Sequence, residues 1–242
     1  MEKNMEKKAK YKRIMLKMSG EALMGKQQFG LDNDEVARIA AEVAELNKAG
    51  VEVAIVVGGG NFFRGKQLSH LGVDRVAGDH MGMLATVMNS LAIQSALSAL
   101  NVQARVLSAL KMDEVCEHYI RLRAVRHLEK GRVVICAAGT GNPFFTTDSA
   151  ASLRAVELNV EVMLKATKVD GIYDKDPKKF PDAVKFPTLD YQKAIVDNLQ
   201  VMDTTAMVMC RDNKIPMMVF NMTKSGEIVR AVFEDGVGTL VS

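Results

Sequence analysis

Apolar and polar positions along the chain alternate in blocks that predict strands and helices in turn. Short apolar runs predict strands, and longer segments with apolar residues three or four positions apart predict helices. The predicted strands are Arg13–Met18, Val51–Val57, Val102–Ala109, Gly131–Ala138, Val160–Ala166, Pro216–Asn221 and Gly238–Val241. The predicted helices are one from Asp32 or Asp34 to Lys48, then Met81–Leu100 (starting near Asp79-His80), Ile120–Lys130, Ser149–Leu158, Tyr191–Asn198, Asp203–Lys214 and Ser225–Phe233. This order predicts an α/β fold with a mostly parallel sheet covered by helices on both faces.

The length of 242 residues suits one large α/β domain or two small ones. No low-complexity linker divides the chain, so residues 13–242 are interpreted as a single domain. The opening segment Met1–Lys12 is polar and rich in lysine, which is typical of a solvated and mobile tail. The charged loop Thr167–Pro187, with three prolines, is the one place where the domain could divide into lobes.

Composition narrows the class of partner. The net charge of +3 is too small to indicate nucleic-acid binding, and no apolar run is long enough to span a bilayer. The three cysteines lie far apart without a CxxC pair, which favours a reducing compartment and argues against disulfides and zinc. The four histidines have no metal-ligand spacing, so no metal site is assigned to protein side chains.

Ligands of open α/β sheets bind at the carboxyl ends of the strands. Four predicted strand ends carry unusual residues, namely Lys17-Met18-Ser19-Gly20, Gly58-Gly59-Gly60-Asn61, Gly139-Thr140-Gly141-Asn142 and Lys165-Ala166-Thr167-Lys168. Glycine allows backbone N–H groups to approach phosphate oxygens closely. Gly58–Gly60 alone could equally be a tight turn between a strand and a helix. Together the four ends predict one anion-binding edge of the sheet.

The segment Ala137–Ala151 is the centre of this prediction. It runs from an apolar strand through hydroxyl residues to Asp148 and then to a helix, which suits an anionic ligand near a helix N-terminus. Phe144 and Phe145 could enclose a planar or apolar group.

Each charged residue near the carboxyl ends of these strands has two possible roles, one in ligand binding and one purely structural. Lys17 lies inside an apolar strand, so we expect it to have an anionic partner, although an exposed edge strand would also hold a lysine. Arg64 could bind phosphate with two hydrogen bonds, or lie on a mobile surface loop. Asp79 and Asp148 precede predicted helices and could be simple N-caps, and Asp148 could also hold two cations in place.

Two phosphate-binding motifs are absent. Gly20-x4-Gly25-Lys26 is followed by Gln27, where a Walker A loop needs Ser or Thr for Mg²⁺. No GxGxxG with an acidic residue at the expected distance is present, which argues against a dinucleotide fold. Asp170, Tyr173, Asp174 and Asp176 could face a ribose or Mg²⁺, or form a solvated turn.

Taken together, these segments resemble the bacterial uridylate (UMP) kinase family, a branch of the amino acid kinase superfamily. The match extends from about Tyr11 to Leu240. It is carried by KMSGEAL (Lys17–Leu23), VVGGGNFFRG (Val56–Gly65), GDHMGMLATVMN (Gly78–Asn89), AAGTGNPFFTTDSAA (Ala137–Ala151), LKATKVDGIYDKDP (Leu164–Pro177), VMD (Val201–Asp203) and VFNM (Val219–Met222).

The resemblance implies a three-layer α/β/α sandwich and an ATP:UMP phosphotransferase that makes UDP, with Mg²⁺ carried by ATP. It implies a cytoplasmic homohexamer of pyrimidine nucleotide synthesis, with GTP and UTP as effectors. ATP would contact Lys17, Ser19, Gly20, Gly60, Arg64, Thr167, Tyr173 and Asp176. UMP would contact Gly59, Asp79, Thr140, Gly141, Asn142, Pro143, Phe144, Phe145, Thr146 and Thr147.

The hypothesis for catalysis assigns roles to three residues. Lys17 and Arg64 would neutralise charge on the transferred group, and Asp148 would orient these cations. Lys165 is a second-rank candidate, since it could simply pair with a structural carboxylate. Three alternatives stay open at this point: a kinase for carbamate, glutamate or acetylglutamate, a non-catalytic nucleotide-binding assembly, and a Rossmann oxidoreductase.

Overall fold

The structure is a computed structural model that describes residues 8–63, 72–177, 179–197, 199 and 201–242. Its strands are β1 Arg13–Met18, β2 Glu52–Val57, β3 Ala104–Ser108, β4 Glu117–His118, β5 Val133–Ala137, β6 Val162–Thr167, β7 Ile172–Tyr173, β8 Lys185–Phe186, β9 Thr188–Leu189, β10 Met217–Asn221 and β11 Thr239–Val241. Its α-helices are α1 Asn33–Lys48, α2 Arg75–Ala99, α3 Arg121–Glu129, α4 Thr147–Glu157, α5 Tyr191–Val196, α6 Thr204–Asp212 and α7 Glu227–Phe233, and a 3₁₀ helix covers Gly20–Met24.

Within the described residues, nine strands form one sheet in the order β4-β3-β5-β2-β1-β6-β10-β11-β9. Every pairing in it is parallel except that between β10 and β11. The strands β7 and β8 form a separate antiparallel ribbon. The prediction of an α/β fold with a mostly parallel sheet is confirmed.

Alternate side chains of each central strand enter different cores, because successive residues of a strand point to opposite faces. Ile14 and Leu16 of β1 join one core, which α1, α2 and α7 cover. Met15 joins the other core, which α3, α4, α5 and α6 cover. Both faces of the sheet are therefore buried, which explains the nearly continuous apolar strands and confirms the three-layer α/β/α sandwich.

The predicted start of the long helix is wrong. We expected it near Asp79-His80, but α2 begins at Arg75, and Asp74 caps it by accepting from the N–H groups of Val76 and Ala77. Asp79 therefore lies in the second turn and is not an N-cap. The apolar spacing near Gly78 is too weak to reveal the first turn.

The helix after β5 also begins earlier than predicted. Thr146 is its N-cap, and its hydroxyl oxygen accepts from the N–H groups of Asp148 and Ser149. Asp148 thus lies in the first turn of α4, where the helix dipole favours a carboxylate. Its side chain is left available for another partner.

The short strands β4, β7, β8 and β9 were not predicted, since pairs of residues carry no readable period. The ribbon of β7 and β8 lies inside the predicted loop Thr167–Pro187. At the amino terminus, the N–H of Lys10 donates to the Val232 carbonyl at 3.1 Å. The division into a tail of residues 1–12 and a domain of residues 13–242 stays a prediction.

None of the helices in the described part of the chain combines the length and apolarity needed to cross a bilayer.

Candidate active site

Two lysines lie side by side at the carboxyl end of the sheet. The parallel register of β1 and β6 pairs Lys17 directly with Lys165. Each lysine comes two positions after a residue whose side chain points to the α4 side of the sheet. Alternate residues of a strand share a face, so both lysine side chains point to that side as well. Their side chains are only 10% and 12% exposed, so two cations share a nearly dry position that needs a compensating charge.

Asp148 supplies that charge. One of its carboxylate oxygens pairs with the ammonium of Lys17, and the other accepts from the Lys165 Nζ at 2.8 Å. Burial alone would raise the pKa of Asp148, but the charges of Lys17 and Lys165 outweigh burial and hold this pKa below its usual value. Burial lowers the pKa of Lys165, the charge of Lys17 lowers it further, and Asp148 opposes both. The expectation that Lys17 has an anionic partner is confirmed.

A signal for Lys165 lies in the sequence itself. β1 and the residue after it read IMLKMS (residues 14–19), and β6 reads VMLKAT (residues 162–167). Each of the two strands ends with a lysine followed two positions later by a hydroxyl residue. This match predicts that both lysines occupy equivalent places in the sheet, and it is the signal that raises Lys165 from a second-rank candidate.

Asp203 is a functional candidate that we did not predict. It caps α6 by accepting from the Ala206 N–H at 2.8 Å. Its carboxylate also accepts from the hydroxyl of Thr146 and from that of Ser149 at 3.1 Å. It therefore fixes the start of α4, and with it Asp148. Only the short VMD segment of the resemblance pointed to this residue.

The first pocket, with a volume of about 510 Å³, lies between α2 and the loop that joins β5 to α4. Residues from both sides line it, with backbone and hydroxyl groups prominent. They are Gly59, Gly60, Phe63, Val73, Asp74, Arg75, Gly78, Asp79, Gly82, Met83, Thr86, Gly139, Thr140, Asn142, Phe145, Thr146 and Thr147.

Asp79 holds one end of this loop in place. Its carboxylate accepts from the N–H of Phe144 at 2.7 Å and from the Nε of Arg75 at 2.9 Å. Burial alone would raise the pKa of Asp79, but the N–H of Phe144 and the charge of Arg75 lower it overall. The guanidinium of Arg75 also lies 5.6 Å from the centre of the Phe144 ring.

The second pocket, of about 580 Å³, lies beyond the ends of β1 and β6. Its lining is more strongly charged. It consists of Lys17, Ser19, Glu21, Ala22, Gly25, Lys26, Asp32, Asp34, Glu35, Arg38, Lys165, Ala166, Thr167, Lys168, Met222 and Thr223. Asp148 follows Thr147 of the first pocket and pairs with two lysines of the second, so the charged centre lies between the pockets.

Within the turn Gly58–Gly60, Gly59 packs too tightly against α2 to be replaced by a residue with a side chain. A Cβ on Gly59 would lie 2.7 Å from the carbonyl oxygen of Gly82 on α2. Below the turn, the buried amides of Asn61 and Asn89 bond to each other at 2.7 and 2.9 Å, and Asn89 also donates to the Gly58 carbonyl. These bonds fix the shape of the turn where Gly59 and Gly60 line the first pocket.

Some of the other residues predicted to bind ATP or UMP line the two pockets, and others do not. Arg64 lies outside the described residues. Gly60 was expected at ATP but lines the first pocket together with Gly59, and Ser19 and Thr167 line the second. Gly141, Pro143 and Phe144 belong to the loop without lining the first pocket, while Gly20, Tyr173 and Asp176 are not in the lining of the second.

Some side chains of the acidic loop after β6 form hydrogen bonds with other residues of the same loop. The hydroxyl of Tyr173 donates to Asp170 at 2.8 Å, and this bond raises the pKa of Tyr173.

Among the described residues, no three His, Cys, Asp or Glu side chains cluster in a way that could hold a metal ion. Both oxygens of Asp148 already face ammonium groups. The centre is thus arranged around the protein's own cations, which suits a ligand with several negative charges.

Comparisons with known proteins show the family to which the chain belongs. The sequence profile of the amino acid kinase family matches residues 12–221. The uridylate kinase of Dichelobacter nodosus is 68% identical over 97% of either chain. The crystal structure of the UMP kinase from Bacillus anthracis superposes with a TM-score of 0.93 at 39% identity, covering 96% of both chains. That of the UMP kinase from Ureaplasma parvum gives 0.90 at 38% identity, covering 95% of this chain and 98% of the other.

Proposed function

The chain belongs to the amino acid kinase family and to its uridylate kinase branch, and we propose that it transfers the γ-phosphoryl group of ATP to UMP. The products are UDP and ADP. One observation carries this proposal at the level of residues. Asp148 holds Lys17 and Lys165 together between two pockets of about 510 and 580 Å³.

UMP occupies the first pocket in this proposal, and ATP occupies the second. The hydroxyl-rich loop and Asp79 line the first pocket and suit a nucleoside monophosphate. The lysines and the hydroxyls of Ser19 and Thr167 line the second pocket and suit a triphosphate. Holding both substrates in line lowers the barrier by roughly 7–11 kcal/mol, because it removes the entropic cost of their encounter.

Phosphoryl transfer needs charge neutralisation more than covalent help. Lys17 and Lys165 neutralise the charge that develops on the transferred group, and Asp148 fixes their positions. Asp148 does not serve as a base, since the phosphate of UMP is already ionised near neutral pH. We propose that Arg64 adds a further cation, and that ATP enters as its Mg²⁺ complex.

A coupled ADP-release assay tests this function. We expect ADP release from MgATP with UMP to exceed that with CMP, and no release with glutamate, acetylglutamate or carbamate. Release with a carboxylate or carbamate and none with UMP would assign the chain to another branch of the family. Binding of both ATP and UMP without ADP release would make it a nucleotide-binding assembly instead.

Regulation and assembly are further parts of the proposal. A third pocket of about 560 Å³ lies along the C-terminal half of α2, lined in part by Gln94, Ser95, Ser98 and Arg105. We place an effector nucleotide there, GTP or UTP. Gln94, Ser95 and Ser98 are uncharged, so the assay decides whether GTP activates and whether UTP inhibits the enzyme. A homohexamer, a cytoplasmic location and a role in pyrimidine nucleotide synthesis are expected from the family. The same assay with and without GTP, and a sedimentation experiment, test these points.

A further inference from the structure

Helix α2 holds the loop of residues 138–146 at two points. At one end, the N–H of Ala138 donates to the hydroxyl oxygen of Thr86 at 2.8 Å. At the other end, the N–H of Phe144 donates to Asp79 at 2.7 Å. Asp79 and Thr86 are seven residues apart, so they lie two turns apart on one face of the helix.

Both loop residues held in this way have an unfavourable backbone. Ala138 has a φ of 60° and Phe144 a φ of 71°, in the left-handed region that residues other than glycine rarely adopt. Neither side chain can stabilise that region by a local hydrogen bond. The bonds from helix α2 therefore hold Ala138 and Phe144 in a backbone conformation that these two residues do not themselves favour.

The Thr86 hydroxyl is already fully oriented by the protein. It donates to the Met83 carbonyl at 2.7 Å while it accepts from Ala138, and Thr86 is 3% exposed. We propose that Thr86 is a positioning residue for UMP, acting through the loop and not by chemistry. This inference rests on the proposed function, because it takes the first pocket as the site of the acceptor nucleotide.

Three variants separate the hydroxyl from simple packing. Thr86→Val keeps the shape of the side chain but removes the hydroxyl, and Thr86→Ser restores the hydroxyl. Ser90→Ala is the matched control, since the Ser90 hydroxyl is equally buried and donates only to the Thr86 carbonyl at 2.7 Å. It removes a buried hydroxyl from α2 without a bond to the loop.

We expect Thr86→Val to raise the KM for UMP about tenfold, the factor that corresponds to losing about 1.4 kcal/mol. The kcat and the KM for ATP should change less than twofold. Thr86→Ser and Ser90→Ala should stay within twofold of the wild type for all three constants. If Thr86→Val does not fold, Thr86→Ala compared with Thr86→Ser gives the same contrast.

Hydrogen exchange of the nucleotide-free protein gives a readout that needs no activity. Thr86→Val should speed exchange in peptides covering residues 137–147, and Ser90→Ala should not. Wild-type exchange and a wild-type KM for UMP in Thr86→Val would overturn the inference, as would an equal loss in Ser90→Ala. If the wild type released no ADP with UMP, the proposed function would fail, while the exchange data would still decide whether Thr86 holds the loop.

Discussion

At the scale of single residues, Asp148 allows two lysines to occupy one nearly buried position. Lys17 and Lys165 are neighbours in adjacent strands, and each faces one oxygen of the same carboxylate. Removing the carboxylate from such a buried group leaves two ammonium groups without compensation, whereas removing one lysine leaves a matched ion pair. This group of charges contributes to the stability of the fold. It also supplies fixed positive charge for phosphoryl transfer.

Asp148→Asn should therefore lower the free energy of unfolding by about 3–5 kcal/mol at pH 7. The folded pKa of Asp148 is below its ordinary value of 3.8, so its contribution is fully present above that pH. The contribution is lost as the pH falls through the folded pKa. Urea unfolding of wild type and variant at pH 7 and at pH 3 checks this. An equal gap at both pH values would contradict the pairing.

Lys17→Met should lower kcat by roughly two to three orders of magnitude, because one fixed cation at the transferred group is lost. The methionine keeps most of the apolar stem, so the fold and the KM for UMP should change little. Lys193→Ala is the matched control, since it removes an exposed lysine that pairs with Asp197 at 2.7 Å. Near-normal turnover in Lys17→Met would remove this lysine from the mechanism.

The sequence was informative about Lys17 for a physical reason. A charge inside an apolar strand must have a partner, so an anionic neighbour could be predicted without a structure. The identity of that partner could not, because it depends on the register of β1 against β6 and on the position of α4. The pairing of Lys165 with Asp148 could not be predicted either, because it depends on the same register and helix position. The strand of Lys165 nevertheless repeats the pattern of β1.

At the scale of elements, helix starts determine where the site residues point. Thr146 caps α4, and Asp203 in turn accepts from the hydroxyls of Thr146 and Ser149. The cap of α6 and the cap of α4 are thus joined. This junction depends on contacts between segments more than fifty residues apart in the sequence, which local patterns do not reveal.

Asp203→Ala should cost about 1 kcal/mol of stability as a lost N-cap. It should also raise the KM for UMP several-fold, because the loop before α4 loses its anchor. Asp190→Ala is the matched control, since Asp190 caps α5 by accepting from the Lys193 N–H at 3.0 Å and, among the described residues, has no hydrogen bond to that loop. Asp203→Ala should lose more stability than Asp190→Ala in urea unfolding, because it also breaks the bonds to the hydroxyls of Thr146 and Ser149. An unchanged KM for UMP in Asp203→Ala would reduce this residue to a cap.

The start of α2 shows where element prediction fails. Its first turn is weakly apolar, and the true cap, Asp74, precedes the predicted start by five residues. With the correct start of α2, Asp79 is no longer a helix cap. It is a side chain that holds the loop through the N–H of Phe144. Boundaries set by tertiary contacts are therefore the weakest part of a sequence-based description.

At the scale of the whole molecule, the fold was predictable because the long strands β1, β2, β3, β5, β6 and β10 are largely buried on both faces. Continuous apolar strands alternating with amphipathic helices leave few other topologies. The convergence of strand ends at one edge of the sheet follows from the parallel arrangement. The two pockets did not follow from any single motif, because each is assembled from several distant segments.

The most direct test of the account is a crystal structure of the protein with UMP, Mg²⁺ and an ATP analogue whose terminal phosphate cannot be transferred. We expect UMP in the first pocket and the analogue's phosphates in the second. The terminal phosphate should lie within hydrogen-bonding distance of the Nζ atoms of Lys17 and Lys165, in line with the phosphate of UMP. A terminal phosphate bound away from both lysines, or nucleotides on different faces of the molecule, would contradict the account.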